Sequence, residues 1–563
     1  MAAAVENYDV VVVGSGAGGM TAALAAQVAG LKTILIEKAD LFGGTSALSG
    51  GGVWVPNAPE FVRRGLRDDP ERIYDYLFKI AGQDVAAERL RRYVDEAPKM
   101  MELLEAQREA FGETFIWAEG YSDYHPEQGG NADGRGLWPA PIDKRKLGED
   151  GPLIRGGKGR VPGAPEGAWM TAVDVHDLIA LRWGGVRGLR VVLRLARRTV
   201  VSRIRRTDMA TGGQALIGRL LLALRKTGVP LWRNTPMDAL VVDGEGKVIG
   251  VDVTRDGSPV RLVARGGVIL ATGGFDFNTE MRHRHHPLIG DGWPVGCPDD
   301  TGDGIIAGER LGAAVELMDD AWWMPLMQFP NNVNWVQVLE RSYPGQFIVN
   351  SAGRRFVNEA APYTDFVHAQ LEGHASGVSH IPVFMIIDER AWKRNIIADH
   401  IPGRKMPKGW LESGLVSRAD TLEALAAKIG VPPTALVETA RRYNAFARAG
   451  RDEDFGRGES AYDRYYGDDS YPNPNLAPVD KGPFMAFRIV PGDLGTKGGL
   501  LTDVDGRVLR TDGSAIDGLY ATGNTSASVM GHDYAGPGAT IGPAMTFGYL
   551  AANHIAAALE PVR

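Results

Sequence analysis

Residues 8–13 read YDVVVV, residues 14–19 read GSGAGG, and residues 33–36 read TILI just before Glu37. The first run is β-branched and apolar and ends on glycines, which predicts a buried strand. The alanine-rich residues 20–29 predict a helix, and 33–36 a second buried strand. Strand, glycine turn, helix, strand and acid is the order in which a dinucleotide is held. Gly14 allows the tight turn, Gly16 lets a pyrophosphate approach the backbone, and Gly19 lets the helix pack close on the strand. Ala17 and Gly18 lie where free N–H groups and the partial positive charge of a helix start face phosphates. Glu37 is placed to accept hydrogen bonds from ribose hydroxyls, and Lys38 beside it is counted with the cofactor contacts. An acid here favours a free ribose, hence FAD or NAD rather than NADP.

Working outward, residues 42–52 read FGGTSALSGGG. Small and hydroxylated residues directly after the acid predict a second loop around a flat cofactor, with Gly44, Thr45, Ser46, Gly50 and Gly51 as contacts. Residues 265–275, RGGVILATGGF, predict another buried strand that runs into Gly273 and Gly274. The pattern returns near the end of the chain. Residues 517–524, DGLYATGN, form a strand that stops at Gly523 and Asn524, and GATIGPAMTFG at 538–548 opens a helix through Gly542 and Ala544. Pro543 suits a first helical turn. Between these ends, residues 282–480 are richer in aromatics and loops and read as an inserted domain.

The bulk numbers bound the class. The chain has 563 residues, 44% hydrophobic and 23% charged, ample for a large core and two or more domains. A net charge of −7 gives the chain no reason to bind nucleic acid. The single cysteine, Cys297, supports no disulfide framework, zinc cluster or iron–sulfur site, and no metal site is expected. The first residues lack the basic and apolar regions of a secretory signal, and no uninterrupted apolar window reaches ~18 residues. The expectation is a cytoplasmic protein.

Residues 178–206 depart from this average. They carry nine arginines and no acid, interleaved with Leu, Val and Trp183. One reading is a basic amphipathic helix lying on the inner face of the cell membrane. The other is a peripheral helix whose arginine stems cover apolar surface and whose charges fold back onto acidic helices of the same chain.

The motifs VVVVGSGAGG, FGGTSALSGGGVW, YSDYHPE, TGDGI, DDAWW, RRFVNEAAPY, RGESAYDRYYGD, GDLGTKGGL and GLYATGNTSASVMGHDYAGPGATIGPAMTFGY run through nearly the whole chain. In them the chain closely resembles the 3-ketosteroid Δ1-dehydrogenases, of the wider fumarate reductase/succinate dehydrogenase flavoprotein group. The resemblance implies an α/β fold with an α+β catalytic insert. A Rossmann-like FAD-binding domain is formed from both chain ends, 1–281 and 491–563, around a catalytic domain at 282–490. It further implies non-covalent FAD, a 3-ketosteroid substrate desaturated between C1 and C2, and an external electron acceptor, a quinone or a dye-like molecule.

The chemistry to be done sets the residue roles. The C2 hydrogen next to a ketone is only weakly acidic, so the C3 carbonyl must be polarised and a base placed at C2. By resemblance Tyr534 and the Gly538 N–H bind the C3 oxygen, a two-donor hole for a developing enolate. Tyr363 matches the family's base. A phenol titrates near 10 and needs help near neutral pH. Tyr124, matched through YSDY, can hydrogen-bond the phenolate, and Tyr121 is the nearby competitor. Three rivals stand beside this reading. A fumarate reductase needs cations for two carboxylates, but Leu494-Gly-Thr stands where that group has His-His-Thr. A Δ4-(5α)-ketosteroid dehydrogenase differs from YAGPG near the chain end. A flavin-bound steroid carrier would not turn over.

Overall fold

The structure is a computed structural model that describes residues 4–156, 169–179, 186–330, 333–398, 400, 402 and 404–559. Two sheets organise it. The larger has eight strands, six of them in the order Arg507–Leu509, Ala515–Ala521, Ser258–Leu270, Ala4–Val13, Thr33–Ile36 and Leu231–Trp232. Ala4–Val13 lies parallel to Ser258–Leu270 on one side and to Thr33–Ile36 on the other. Val10, Val11 and Val12 are fully buried, as a parallel strand covered on both faces requires. Met237–Val242 and Val248–Arg255 add an antiparallel hairpin to Ser258–Leu270. Strands from both chain ends thus share one sheet, the architecture expected for the cofactor domain.

The helix after the glycine turn is Ala17–Val28. It starts three residues earlier than alanine content indicated, because Ala17, Gly18 and Gly19 already take helical conformation. It packs on the C-terminal helix Ile541–Leu559. An added Cβ on Gly548 would lie 2.5 Å from the Gly18 carbonyl oxygen, so the two helices touch backbone to backbone there.

The second sheet is antiparallel throughout. Its order is Asn334–Val336, Ala321–Gln328, Phe484–Thr496, Val383–Ile387 and Gln346–Val349, with Val416–Ala419 also on Phe484–Thr496. Buried Trp323, Met385 and Phe487 pack in one of its cores, and Phe347, Ile386 and Leu436 in another. Phe484–Thr496 runs straight across the 490/491 division read from the sequence, so the catalytic sheet extends to residue 496.

Of residues 178–206, 178–179 end the helix Ala172–Ile179 and 186–205 form the helix Val186–Arg205. Trp183 lies outside the described residues. Arg194 and Arg198 pair with Asp174, and Arg194 also with Asp177. Part of the basic charge is therefore met by acids just upstream of the segment.

Candidate active site

The cofactor end is built first by Gly14, whose φ of +106° and an added Cβ only 2.2 Å from the Ala271 carbonyl oxygen admit no side chain. Gly19 sits the same way against the Gly14 carbonyl oxygen, at 2.1 Å. Glu37 is buried and holds the glycine turn itself. Its carboxylate accepts from the Ser15 N–H at 3.0 Å, the Ser15 hydroxyl at 2.5 Å and the Ala39 N–H at 2.9 Å. With about four acceptor positions on a carboxylate, it pins the glycine turn and keeps room for one hydroxyl. Ser46 Oγ accepts from the Ala17 N–H at 3.1 Å, which ties the 42–52 loop to the helix start. Around this turn, Gly44 and Gly50 would each place a Cβ with nothing within 4 Å. The glycine turn, the helix start, the buried acid and this open small-residue loop fit the pyrophosphate and ribose of FAD.

Other expected contacts serve the scaffold. The Lys38 ammonium donates to Thr301 and Asp303, both at 2.7 Å. Thr45 Oγ1 donates to Asp300 at 2.7 Å and accepts from the Cys297 N–H at 2.7 Å. Gly51 and Gly274 lie against the Gly212 backbone and the Thr496 hydroxyl, and the Gly273 carbonyl accepts from Thr525. Gly523 has φ of +66° beside Ala544. Asn524 Oδ1 accepts from Trp322 Nε1 at 3.0 Å. The N–H groups of Gly542 and Ala544 are already taken by Gly538 and Thr540 carbonyls. An added Cβ on Gly542 would lie 2.3 Å from the Trp54 carbonyl oxygen. These two residues pack the helix start rather than offering it.

Three tyrosines from distant parts of the chain meet beyond this cradle. Tyr363 opens the helix Tyr363–Ala375. The loop before it is fixed by arginines: Arg341 donates to the Glu359 and Ala361 carbonyls at 2.7 and 2.8 Å. Glu359 itself is buried between Arg355 and Arg457. Removing one partner of such a set costs about 3–5 kcal/mol, so RRFVNEAAPY and the RG of RGESAYDRYYGD are the frame that aims Tyr363. The Tyr124 hydroxyl donates to the Tyr363 hydroxyl at 3.0 Å. Ring centroids lie 5.5 Å apart for Tyr124 and Tyr363, 5.1 Å for Tyr124 and Tyr534, and 5.7 Å for Tyr363 and Tyr534, all edge to face. Thr540 Oγ1 donates to the Tyr534 oxygen at 2.9 Å, and the Gly538 N–H faces the same oxygen. Gly538 has φ of +96°, with an added Cβ 2.5 Å from the Gly52 backbone.

All three hydroxyls are buried. Burial and the neighbouring phenols push Tyr363 and Tyr124 well above the usual phenol range. Tyr534 is also raised by burial, against hydrogen bonds from Thr540, Tyr363 and Gly538 that favour its phenolate. Tyr121 is stacked flat on Tyr465 at 4.5 Å and on Trp138 at 5.7 Å, and Tyr124 is the residue whose hydroxyl is bonded to Tyr363.

Several residues around this triangle were given no role by sequence. Tyr462 stands edge-on to Tyr124 at 4.8 Å, and Trp322 lies 4.7 Å from Tyr534. Lys497 is fully buried with Asp320 at 2.8 Å and sits over Trp322. All belong to quoted motifs, so the signal was present without a chemistry attached. Asp276 is buried with neither oxygen hydrogen-bonded, and burial with the charges of Asp300 and Asp493 raises its pKa well above the carboxyl range. It lies beside the Thr45 loop, next to Gly296.

Residues 9–541 match the FAD binding domain family. The chain is 47% identical to a 3-oxosteroid 1-dehydrogenase of Mycobacterium tuberculosis, over 98% of this chain and 99% of that one. It is 46% identical to a 3-oxosteroid 1-dehydrogenase of Mycolicibacterium smegmatis, over 98% of each. The crystal structure of 3-ketosteroid Δ1-dehydrogenase from Sterolibacterium denitrificans in complex with 1,4-androstadiene-3,17-dione superposes with a TM-score of 0.91 at 39% identity, over 98% of this chain and 100% of that one. With its FAD cradle built from both chain ends and near full-length identity to these enzymes, the chain belongs to the 3-oxosteroid 1-dehydrogenase family of FAD-dependent oxidoreductases.

Proposed function

We propose that this enzyme introduces the C1–C2 double bond of a 3-ketosteroid with Tyr363 as base, Tyr124 as its support, and Tyr534 with the Gly538 N–H as the ketone hole. The observation that carries the reading is the hydroxyl triangle. The Tyr534 oxygen is occupied by Thr540, so its own hydrogen is free to point at a C3 carbonyl. The Gly538 N–H faces the Tyr534 oxygen and is the second donor within reach of that carbonyl. Two donors there draw electron density from C2 and acidify its hydrogen. Tyr363 takes that proton, and the Tyr124 O–H stabilises the phenolate that must precede the transfer. Bound FAD would supply the acceptor for the hydride that leaves C1. Burial of all three phenols keeps water from the developing enolate.

The test is turnover of androst-4-ene-3,17-dione with an artificial electron acceptor, read as formation of the 1,4-diene. An external quinone or dye-like acceptor fits the enzyme's need to reoxidise. FAD is held without a covalent link: 42–52 contains no His or Cys, and burial pushes the Cys297 thiol up, away from the reactive thiolate. Acid precipitation should release yellow flavin, and colour kept in the pellet would refute it.

A second reading concerns location. Among the described residues no helix is long and apolar enough to cross a membrane. The helix Val186–Arg205 exposes Leu189, Leu193, Val200 and Ile204 alongside Arg190, Arg197 and Arg205, which supports peripheral, salt-sensitive contact with an anionic bilayer. Flotation with anionic liposomes decides it: binding at low salt that vanishes on deletion of 178–206 supports it, and no binding refutes it.

A further inference from the structure

The three tyrosines have a second, unassigned connection through their sequence neighbours. His125 follows Tyr124, Asp533 precedes Tyr534, and Asp365 lies two positions after Tyr363. These neighbours meet. His125 Nε2 bonds Asp533 at 2.7 Å, and its Nδ1 faces Asp365 at 3.8 Å and Glu127 at 3.7 Å. The Asp533 carboxylate also accepts from the Tyr534 N–H at 2.6 Å, and the Tyr124 N–H donates to the Ala535 carbonyl at 3.1 Å. The segments bearing Tyr124 and Tyr534 are therefore joined by backbone. The helix bearing Tyr363, which belongs to the catalytic insert, reaches them through the imidazole.

We propose that His125 is a positioning residue that clasps the Tyr363 helix to the Tyr124 and Tyr534 segments and so sets the spacing of the three hydroxyls. The inference rests on the tyrosine roles given above. The other groups facing the clasp are Tyr76, against the His125 backbone, and His368 and Lys497, whose charges act on Asp365; Lys497 also donates to the Asp533 carbonyl at 3.0 Å. Burial lowers the basicity of His125, but Asp533, Glu127 and Asp365 outweigh it and hold the pKa well above 6.5. Asp365 is pushed up to about 6 by burial, against the charges of His125, His368 and Lys497. The sign follows. The cation persists through neutral pH and is lost as pH rises through its raised value. On the acid side the clasp weakens as Asp365 takes a proton below about 6. A misplacement near 1 Å at a reacting centre costs up to about 100-fold.

The experiment measures flavin reduction by saturating steroid across pH in the FAD-loaded enzyme, for His125→Phe, His125→Gln and Asp365→Asn, with Tyr363→Phe alongside. The expected result is a fall in reduction rate of about 10- to 100-fold in His125→Phe, with the steroid dissociation constant little changed. His125→Gln, which keeps one donor to Asp533, recovers part of the rate, and its acid limb near pH 6 flattens. Asp365→Asn keeps the size of the side chain and is expected to fold and to lower the rate in the same direction. A rate within twofold of the parent in both His125→Phe and Asp365→Asn overturns the proposal. So does equal loss in His125→Phe and His125→Gln with an unaltered pH profile, and so does inactivation by EDTA reversed by zinc, which would put a cation among the three groups. Full activity in Tyr363→Phe would instead overturn the tyrosine roles, whatever His125 does.

Discussion

The Tyr124 hydroxyl donates to the Tyr363 hydroxyl at 3.0 Å, across 239 positions of chain. A phenol that receives a hydrogen bond from a second phenol is stabilised as a phenolate, and that favours the anion a base must become.

Removing the hydroxyl of Tyr363 deletes the proposed base and leaves the cradle intact. Tyr363→Phe should lower kcat by ~10²–10⁴-fold while FAD stays bound at full occupancy. Tyr124→Phe should cost less, because only the donor is lost. Near-parental kcat in Tyr363→Phe would move the base elsewhere.

The pH dependence follows from the direction of one shift. Burial holds Tyr363 well above the usual phenol value of 10, so at neutral pH the hydroxyl is protonated. The phenolate fraction, and with it the rate of flavin reduction, should climb roughly tenfold per pH unit from neutral into the alkaline range. Tyr534, also raised by burial, keeps its donor over the same range. Stopped-flow reduction from pH 6 to 10 reads this, and a plateau already reached at pH 7 would contradict it.

The proposed ketone hole is backbone as much as side chain. Gly538→Ala puts a Cβ 2.5 Å from the Gly52 backbone at φ of +96°, so the turn must shift and carry its N–H off the ketone oxygen. Loss of one such donor costs ~10²–10³-fold in kcat. Tyr534→Phe should act similarly on rate. A rise in KM alone in either variant would make the group a ground-state anchor.

Glu37→Ala should yield protein poor in FAD. The change strips three hydrogen bonds from Ser15 and Ala39, and a buried donor left unpaired costs about 1–3 kcal/mol. Flavin retained after gel filtration, compared with the parent, measures it; equal retention would show that the glycine turn holds without the acid.

The cofactor domain was legible because its signals are local. A tight turn at Gly14 and a close helix at Gly19 each demand glycine, and the acid follows at a fixed distance. The second task of Glu37 was hidden, since its partner Ser15 is one of the commonest loop residues. The 490 boundary missed by six residues because a long antiparallel strand carries no composition break as it passes between domains. Gly542 and Ala544 show the opposite error: a helix start that looks free in sequence is capped by its own turn. The contact between His125 and Asp533 spans 408 positions, and no periodicity or spacing records a pairing of that range.

Tyr363 is proposed to take the C2 proton of a 3-ketosteroid, and bound FAD would supply the acceptor for the hydride from C1. Anaerobic mixing of the FAD-loaded enzyme with androst-4-ene-3,17-dione, followed by flavin absorbance and product analysis, tests it directly. The expected result is rapid bleaching with one equivalent of the 1,4-diene-3-one formed per flavin, and no bleaching in Tyr363→Phe on the same timescale. An unbleached flavin with steroid bound, or bleaching by a saturated 5α-steroid that yields the Δ4 product instead, would contradict it.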